Sequence, residues 1–355
     1  MNSRRAVRRI EDGAVAVMVA MLSIVLFTAA AFVTDFGMAY QNQRSVQNGA
    51  DAAALAVGQR IALDAAPTST CPQIEQTYDS DATLRADALS RVRQNSSAEA
   101  NLAATDGYRV RCEIVNGTKT VVVQVQGELR SPTFFSHLLG VNGIDVRNAA
   151  RVIVGPAGTV VGLRPFAICQ AISDQVKNHP DTTFIVPVTN ENTGCGITAG
   201  NWAMLDFDGG ANPNVDMRKW IKDGYEGPVK ASPPVWIDGD PGFDVNAAGA
   251  EMNHMMSLDA VALPVYDTFN DGGGNNAKLR IVGFITAMPC RYKINNMTGP
   301  AAGSVNPGCD ALPASPPNSY IQLKFTKFIP VGELNLGCEL ATACDGGTRL
   351  SKLAD

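Results

Sequence analysis

A twenty-residue stretch without charge near the start of the chain predicts a membrane-spanning helix. It begins at Ala14 and ends at Val33, and reads AVAVMVAMLSIVLFTAAAFV. At about 1.5 Å of rise per residue, such a helix covers about 30 Å, which is the thickness of a bilayer's hydrocarbon core. Ser23 and Thr28 interrupt the stretch, and both side chains can bond carbonyls of their own helix. We therefore place a transmembrane helix at residues 14–35.

The charges on either side of this helix predict its orientation. A basic cluster precedes it, whereas Asp35 is the first charged residue after it. The positive-inside rule then places a basic tail, residues 1–13, in the cytoplasm and everything after the helix on the outer face of the cytoplasmic membrane. The basic cluster consists of Arg4, Arg5, Arg8 and Arg9.

Two other interpretations of the apolar stretch stay open. Ala29-Ala30-Ala31 fits the small-residue pattern of a signal-peptidase site, so the stretch could be a cleaved signal peptide. The apolar sequence continues past that site, however, and no Gly or Pro breaks the helix there. The stretch could also be a buried core helix, but a core helix would not need flanking arginines. We favour a retained anchor.

A second helical pattern continues beyond the anchor as far as Pro67. Residues 38–66 are rich in Ala, Gln and Leu, which form helices readily, so anchor and extension are predicted to be one long helix. Small apolar side chains recur along the extension every three or four residues. This stripe can dock a helix of a partner protein or pack on the chain's own domain. The stripe consists of Val46, Ala50, Ala53, Val57 and Ile61.

The pattern then changes to that of a sheet. After a loop that contains Pro67, residues 81–102 predict another helix. Residues 108–115 and 118–129 are rich in β-branched side chains, and Asn116-Gly117 joins them. Asn-Gly between two such segments is a strong signal for a β-hairpin.

A short helix and one more strand complete the first predicted domain. Ser131-Pro132 predicts the start of a short helix that Gly140 ends. A strand follows at residues 144–154, and Gly155-Pro156-Ala157-Gly158 is a plausible domain boundary. This order of elements predicts a small α+β sheet domain at residues 36–155, with helices on one face of the sheet.

Residues 156–355 predict a β-rich second domain with many turns. The chain contains 33 Gly and 20 Pro, which favours a turn-rich body over a helical bundle. Asp271-Gly272-Gly273-Gly274 predicts a hairpin, and residues 216–223 and 246–256 are the only helices expected here. The predicted strands are residues 160–168, 182–188, 202–205, 234–237, 260–268, 278–287 and 320–329.

Eight cysteines follow the anchor, and none has the CxxC or Cys/His spacing of a zinc site. On the outer face of a membrane, disulfide formation is their natural use. The sequence does not fix the connectivity, but pairing neighbours closes the shortest loops. These neighbours are Cys71 with Cys112, Cys169 with Cys195, Cys290 with Cys309, and Cys338 with Cys344.

Charge and motif content argue against several classes of function. The net charge is −5, and basic residues cluster only at the N-terminus, so a nucleic-acid partner is not expected. His137, His179 and His254 lie far apart in sequence, and no nucleophile motif accompanies them. We therefore expect no enzyme activity, no cofactor, no metal site and no small-molecule substrate.

Two clusters of acidic and amide residues leave one alternative open. Oxygen ligands at alternate positions suit calcium, although neither cluster has the glycine and glutamate spacing of an EF-hand. The same residue types are common in turns, and turns are the interpretation that we favour. The clusters are Asp206, Asp208, Asn212, Asn214 and Asp216, and then Asp238, Asp240, Asp244 and Asn246.

Three motifs mark the anchor segment further. They are Gly13-Ala14-Val15-Ala16 at the membrane entry, Asp35-Phe36-Gly37 at the exit, and the residues from Gln47 to Ala56, QNGADAAALA. Together they resemble the N-terminal segment of TadG-like proteins of the Tad (Flp) pilus assembly system. The resemblance covers residues 11–56 well and the rest of the chain more loosely.

The resemblance implies a noncatalytic, single-pass protein of pilus assembly with a pilin-like domain at residues 36–155. Its partners would be membrane lipid and pilus-assembly or other envelope proteins. Pilins and TadE pseudopilins have a glutamate where this chain has Met18, so peptidase processing is not implied. No DxSxS motif of a von Willebrand A domain is present either. The alternative is a membrane-tethered binding module for a glycan or protein, unrelated to pili.

Overall fold

A computed structural model describes residues 3–180, 182–187, 204–209, 213–239, 248–270, 272, 277–294, 296–300, 305–327 and 329–354. A long N-terminal helix precedes two β-sheets and several shorter helices. The α+β fold class is therefore confirmed, as is the single helix predicted to join anchor and extension.

The described residues include six α-helices and fifteen strands. The helices are α1 (Ser3–Asp64), α2 (Cys71–Tyr78), α3 (Ala82–Asn95), α4 (Gln170–Asn178), α5 (Pro213–Asp223) and α6 (Gly249–Met256), with one 3-10 helix at Ser136–Leu139. The strands are β1 (Asn101–Leu102), β2 (Tyr108–Val115), β3 (Thr118–Ser131), β4 (Ile144–Val160), β5 (Ile168–Cys169), β6 (Thr183–Pro187), β7 (Leu205–Asp206), β8 (Val229–Lys230), β9 (Val235–Gly239), β10 (Val261–Asn270), β11 (Lys278–Ile294), β12 (Met297–Gly299), β13 (Tyr320–Phe325), β14 (Gly332–Leu334) and β15 (Arg349–Leu353).

The strands form two sheets. In the first sheet the order is β1-β3-β4-β14, with β2 beside β3, and with β8 and β15 beside β4. In the second sheet the order is β5-β10-β11-β13-β6, with β9 and β12 beside β11 and with β7 beside β9. The pairing of β5 with β10 is parallel, whereas β10 and β11 form a long antiparallel hairpin. The strands on either side of residues 271–274 therefore pair as the predicted hairpin requires, whereas Asp271, Gly273 and Gly274 lie outside the described residues.

The chain divides into two compact units. Unit 1 consists of Met1–Ala54, Ala82–Arg109 and Gln124–Arg151, and unit 2 of Leu55–Asp81, Val110–Val123 and Val152–Asp355. This division differs from the predicted split at residue 155. Helix α1 and strands β2, β3 and β4 each contribute residues to both units.

The core of unit 1 forms where α1 and α3 meet β3. Gly127 of β3 leaves room for two side chains, because a Cβ atom there would lie 3.1 Å from Val46 Cγ1 and 3.3 Å from Val92 Cγ1. Gly49 of α1 leaves room for the backbone of α3, because a Cβ atom there would lie 2.9 Å from the carbonyl oxygen of Val92. Gly127 thus lets both helices approach the sheet closely, and Gly49 lets them approach each other.

In unit 2, the two faces of the β10–β11 hairpin carry separate buried clusters. Val261, Leu263 and Val265 belong to one cluster, whereas Ala262 and Tyr266 belong to the other, as the alternation of side chains along a strand requires. Both faces are therefore covered, which explains the continuous apolar sequence of β10. The first cluster also contains Met217 and Ile221 of α5 and Met252 and Met256 of α6.

The domain boundary predicted at Gly155-Pro156-Ala157-Gly158 instead lies within strand β4. Here β4 changes its neighbours: Pro156 pairs with Arg349 of β15, and Ala157 pairs with Leu334 of β14. A Cβ atom at Gly158 would lie 2.9 Å from the backbone of Asn335. The glycine and proline composition therefore serves a close approach within a sheet and not a linker.

Two helices were missed by the sequence prediction. Helix α2 occupies the predicted loop after Pro67, and the Thr70 N–H donates to Gln73 Oε1 at 2.9 Å, as in a capping box. Helix α4 contradicts the expectation of only two helices in the second domain. The helix predicted from Asp81 ends at Asn95, and residues 101–102 form a strand instead.

Other predicted elements hold with changed ends. The Asn116-Gly117 hairpin is confirmed, and both residues have positive φ, 50° and 83°, as a type I′ turn requires. The strand predicted at 160–168 is wrong, because β4 ends at Val160 and the next strand, β5, begins only at Ile168. The helix predicted from Ser131 is reduced to one 3-10 turn, since Ser131 is the last residue of β3.

Candidate functional site

The first part of α1 carries large apolar side chains that no other part of the described chain covers. Between residues 15 and 33 most of them are more than half exposed, and Leu26 is 68% exposed. By length and composition, α1 is the one helix among the described residues that could cross a membrane. The Thr28 hydroxyl donates to the Ile24 carbonyl at 2.8 Å, as expected for a polar group in lipid. This exposure is incompatible with the buried-core interpretation.

From residue 15 onwards, Asp35 is the first buried residue of α1. Its side chain is fully buried. One carboxylate oxygen, Oδ1, accepts the Phe134 N–H at 2.9 Å. The other, Oδ2, accepts the Phe135 N–H at 3.2 Å, the Ser136 N–H at 2.6 Å and the Ser136 hydroxyl at 2.7 Å. We call Asp35 and residues 134–136 the Asp35 clamp.

The choice of aspartate follows from what the loop offers. Residues 134–136 lead into the 3-10 helix at Ser136–Leu139, whose first N–H groups have no carbonyl partner within the helix. A carboxylate is the strongest acceptor that a side chain can supply to such a group of donors. Hydrogen bonds to a charged group contribute about 1.5–3 kcal/mol each. The clamp thus replaces a local helix cap by a residue of α1.

Two further hydrogen bonds join α1 to the sheet of unit 1. Asn42 Nδ2 donates to Ser131 Oγ at 2.8 Å. Asn148 Nδ2 donates to the Gln43 carbonyl, also at 2.8 Å. Together with the clamp, these contacts cover about 12 Å along the helix axis. The sheet of unit 1 is therefore attached to α1 along the first two turns after the apolar run.

The predicted interaction stripe lies in the interior of the protein. All five of its residues are fully buried, so they are not available to a partner helix, and the own-domain interpretation is the one that the structure favours. The same face of α1 already includes Asp35, Ala39 and Asn42, at spacings of four and three residues. The stripe consists of Val46, Ala50, Ala53, Val57 and Ile61.

A groove of about 630 Å³ lies beside this face in unit 1. One wall is α1, with the half-exposed rings of Phe36 and Tyr40. The other wall is the start of β4, residues 144–147. The guanidinium group of Arg44 lies 5.3 Å from the centre of the Tyr40 ring, a cation–π distance. The groove therefore combines aromatic and charged groups close to the end of the apolar run.

Three of the four predicted disulfides are confirmed. They join Cys71 to Cys112, Cys290 to Cys309, and Cys338 to Cys344. The fourth predicted pair includes Cys195, which lies outside the described residues; Cys169 itself is buried at the end of β5. The Cys71–Cys112 bond links the start of α2 to β2 and closes the longest loop of the three.

In the two acidic clusters that suggested calcium, Asp206 and Asp238 make contacts with neighbouring protein groups. Asp206 Oδ1 accepts the N–H groups of Asp208 and Gly209 at 3.3 and 3.0 Å, a turn geometry. Burial raises the pKa of Asp206, and the carboxyl of Asp208 adds to the rise. Asp238 pairs with Lys278 at 2.7 Å. The remaining residues of the clusters lie outside the described part, apart from Asn214 and Asp216 in α5.

No group of three or more His, Cys, Asp or Glu side chains within the described ranges could hold a metal ion. The described structure instead has the features of a membrane-anchored protein. It has an exposed apolar helix of membrane-spanning length that continues without a break into a folded, disulfide-containing body.

Comparison with protein families identifies the segment that carries this helix. Residues 13–60 match a family model described as "Tad: Putative Flp pilus-assembly TadE/G-like". The N-terminal segment is therefore TadE/G-like, as its motifs predicted, and the match includes the apolar run and Asp35. Comparison with curated protein sequences and with solved structures finds no match.

Proposed function

We propose that the chain is a noncatalytic, single-pass membrane component of Tad (Flp) pilus assembly. Its N-terminus lies in the cytoplasm, and the chain from Asp35 onwards lies on the outer face of the cytoplasmic membrane. The observation that carries this proposal is the family match over residues 13–60, because the matched residues include the exposed apolar run and the Asp35 clamp's carboxylate.

Two features support the proposed orientation. Arginines precede the apolar run and an aspartate follows it, which is the charge distribution of a helix with its start inside the cell. Three disulfides lie beyond the helix, and disulfides persist in compartments that are oxidising.

The hydrogen bonds between α1 and the sheet of unit 1 suggest how such a component acts. Because the clamp and the contacts of Asn42 and Gln43 begin directly after the apolar run, no flexible linker separates the membrane helix from the rest of unit 1. A shift or rotation of the helix among other membrane helices is therefore passed to the outer body. Contacts with partner helices would use the exposed side chains of residues 15–33, since the stripe further along is buried.

A complementation experiment tests this proposal. A clean deletion of the gene is expected to abolish or reduce piliation, and the full chain is expected to restore it. A second variant replaces residues 14–33 by an unrelated Leu/Ala helix of equal length, which keeps membrane insertion but removes the family-specific surface. We expect this variant to reach the membrane and to restore piliation poorly.

The outcomes separate the two functions considered for this chain. Normal piliation in the deletion strain would contradict a role in pilus assembly and favour a tethered binding module. Full rescue by the Leu/Ala variant would show that the helix serves only as an anchor. Photo-crosslinking from Gln43, which lines the groove, is expected to capture a pilus-assembly or other envelope protein.

A further inference from the structure

The loop between β3 and β4 carries large apolar side chains that unit 1 leaves uncovered. Phe134 is 63% exposed, Phe135 is 46% exposed, and Val141 is exposed to a similar degree. Residues 131–144 contain no Asp, Glu, Lys or Arg. Large apolar side chains exposed together in one loop indicate a contact with another molecule or with a membrane.

The Asp35 clamp fixes the height of this loop relative to the apolar run of α1. Asp35 comes two residues after Val33, which corresponds to about 3 Å along the helix axis. The backbone N–H groups of Phe134 and Phe135 lie 2.9 and 3.2 Å from its carboxylate oxygens. The loop backbone is therefore held where the hydrocarbon core ends and the headgroup region begins.

Exposed aromatic side chains also lie on α1 close to Asp35 in sequence. Phe32, Phe36 and Tyr40 follow one another at intervals of four residues, and each is more than half exposed. The ring centres of Phe32 and Phe36 are 4.3 Å apart. Tyr is enriched at membrane–water interfaces, where its apolar ring and its hydroxyl are both accommodated, and Phe rings favour the apolar side of such an interface.

We propose that residues 132–141 form a second membrane contact, in which Phe134 and Phe135 enter the outer leaflet of the bilayer that α1 spans. The proposal rests on the membrane anchoring in the proposed function. Lipid is the occupant because the Asp35 clamp holds the loop at the level where the apolar run ends, and because residues 131–144 contain no Asp, Glu, Lys or Arg. A helix and a loop held together at Asp35 then restrict the tilt of unit 1 at the membrane.

The proposal is tested with the full-length protein in vesicles of phosphatidylethanolamine and phosphatidylglycerol. A fluorescent amino acid is introduced by codon suppression at Phe134, so that no cysteine is added to a chain with disulfides. Quenching is then measured with phospholipids that carry a nitroxide on the acyl chain, and separately with iodide in the water. At Phe134 we expect strong quenching by the lipid nitroxide and weak quenching by iodide.

Two control positions calibrate the result. Leu26, in the middle of the apolar run, is expected to be quenched by the lipid nitroxide only. Gln94 is exposed and lies two residues after Val92, which packs against Gly49. Because Gly49 is 14 residues beyond Asp35, this level is about 21 Å further along the helix. At Gln94 we expect quenching by iodide only.

Each outcome has one meaning. If Phe134 behaves as Gln94 does while Leu26 is quenched by lipid, the loop does not enter the membrane, although the anchor stands. If Leu26 is also not quenched by lipid, the membrane anchoring itself fails. A photo-crosslinker at Phe134 that captures a protein in place of lipid in native membranes would also overturn the proposal.

Discussion

Asp35 and Ser136 are 101 residues apart in sequence, yet two hydrogen bonds join them. The backbone N–H and the hydroxyl of Ser136 donate to the same carboxylate oxygen, at 2.6 and 2.7 Å. Asp35 is also the first charged residue after the apolar run. One side chain thus marks the end of the hydrophobic segment and attaches the folded body to it.

The first prediction concerns the loss of this carboxylate. In Asp35→Asn one acceptor oxygen is replaced by an NH2 group that points at donors. We expect the opening of residues 134–136 to become easier by about 2 kcal/mol. In hydrogen exchange of the reconstituted protein, these amides should then exchange about thirtyfold faster.

Asp145→Asn is the matched control for that substitution. Asp145 belongs to the same unit, but its side chain is 63% exposed and lies 3.9 Å from Arg130. An exposed ion pair of this kind contributes at most about 1 kcal/mol. Equal exchange rates in the two variants would show that the clamp does not hold the loop.

The second prediction compares two glycines in α1. In Gly49→Ala the new Cβ would lie 2.9 Å from the Val92 carbonyl oxygen, so α3 must move, and we expect destabilisation of about 1–3 kcal/mol. At Gly37 a Cβ atom would meet nothing within 4 Å, so Gly37→Ala should stabilise the helix by about 0.5–1 kcal/mol. Thermal unfolding in detergent measures both, and the same sign for the two variants would contradict the packing described for Gly49.

The third prediction ranks two disulfides by the loops they close. Cys71 and Cys112 are 41 residues apart, whereas Cys338 and Cys344 are six apart. In the chain-entropy model, these bonds stabilise the fold by about 4 and about 2 kcal/mol, respectively. Replacing each pair by serines should therefore lower the unfolding midpoint more for the first pair. The reverse order would show that strain or residual structure outweighs loop entropy.

Local pattern was sufficient to predict much of this fold. The twenty apolar residues, the helix formers after them and the Asn116-Gly117 turn each determine their element through short-range physics, and all three are confirmed. The cysteine pairs were also correct where the structure describes them, because neighbours in sequence close the shortest loops.

The errors arose where distant residues decide the structure. Gly155–Gly158 has the composition of a linker, but β14 and β15 pair with it from more than 170 residues away in sequence. Ser131-Pro132 has the composition of a helix start, yet the N–H groups of residues 134–136 bind Asp35 instead. The Thr70–Gln73 capping box was a local signal that could have revealed α2.

The residues that bind Asp35 could not be predicted from the sequence alone. The position of Asp35 directly after the apolar run indicated a membrane boundary, but no pattern near residues 134–136 pointed to a carboxylate about 100 residues earlier. The stripe at Val46 to Ile61 had two interpretations for the same reason. Its small side chains show that something packs closely there, and only the folded structure shows that the chain itself does so.

The central claim is that residues 14–33 span the cytoplasmic membrane with the chain from Asp35 onwards outside. It is tested most directly with an N-terminal and a C-terminal epitope tag on the full chain, in cells whose cytoplasmic membrane is intact and accessible to added protease. We expect the C-terminal tag to be lost and the N-terminal tag to stay protected, on a fragment that remains with the membrane after an alkaline wash. Protection of both tags, with the protein in the soluble fraction and its cysteines reduced, would contradict the account.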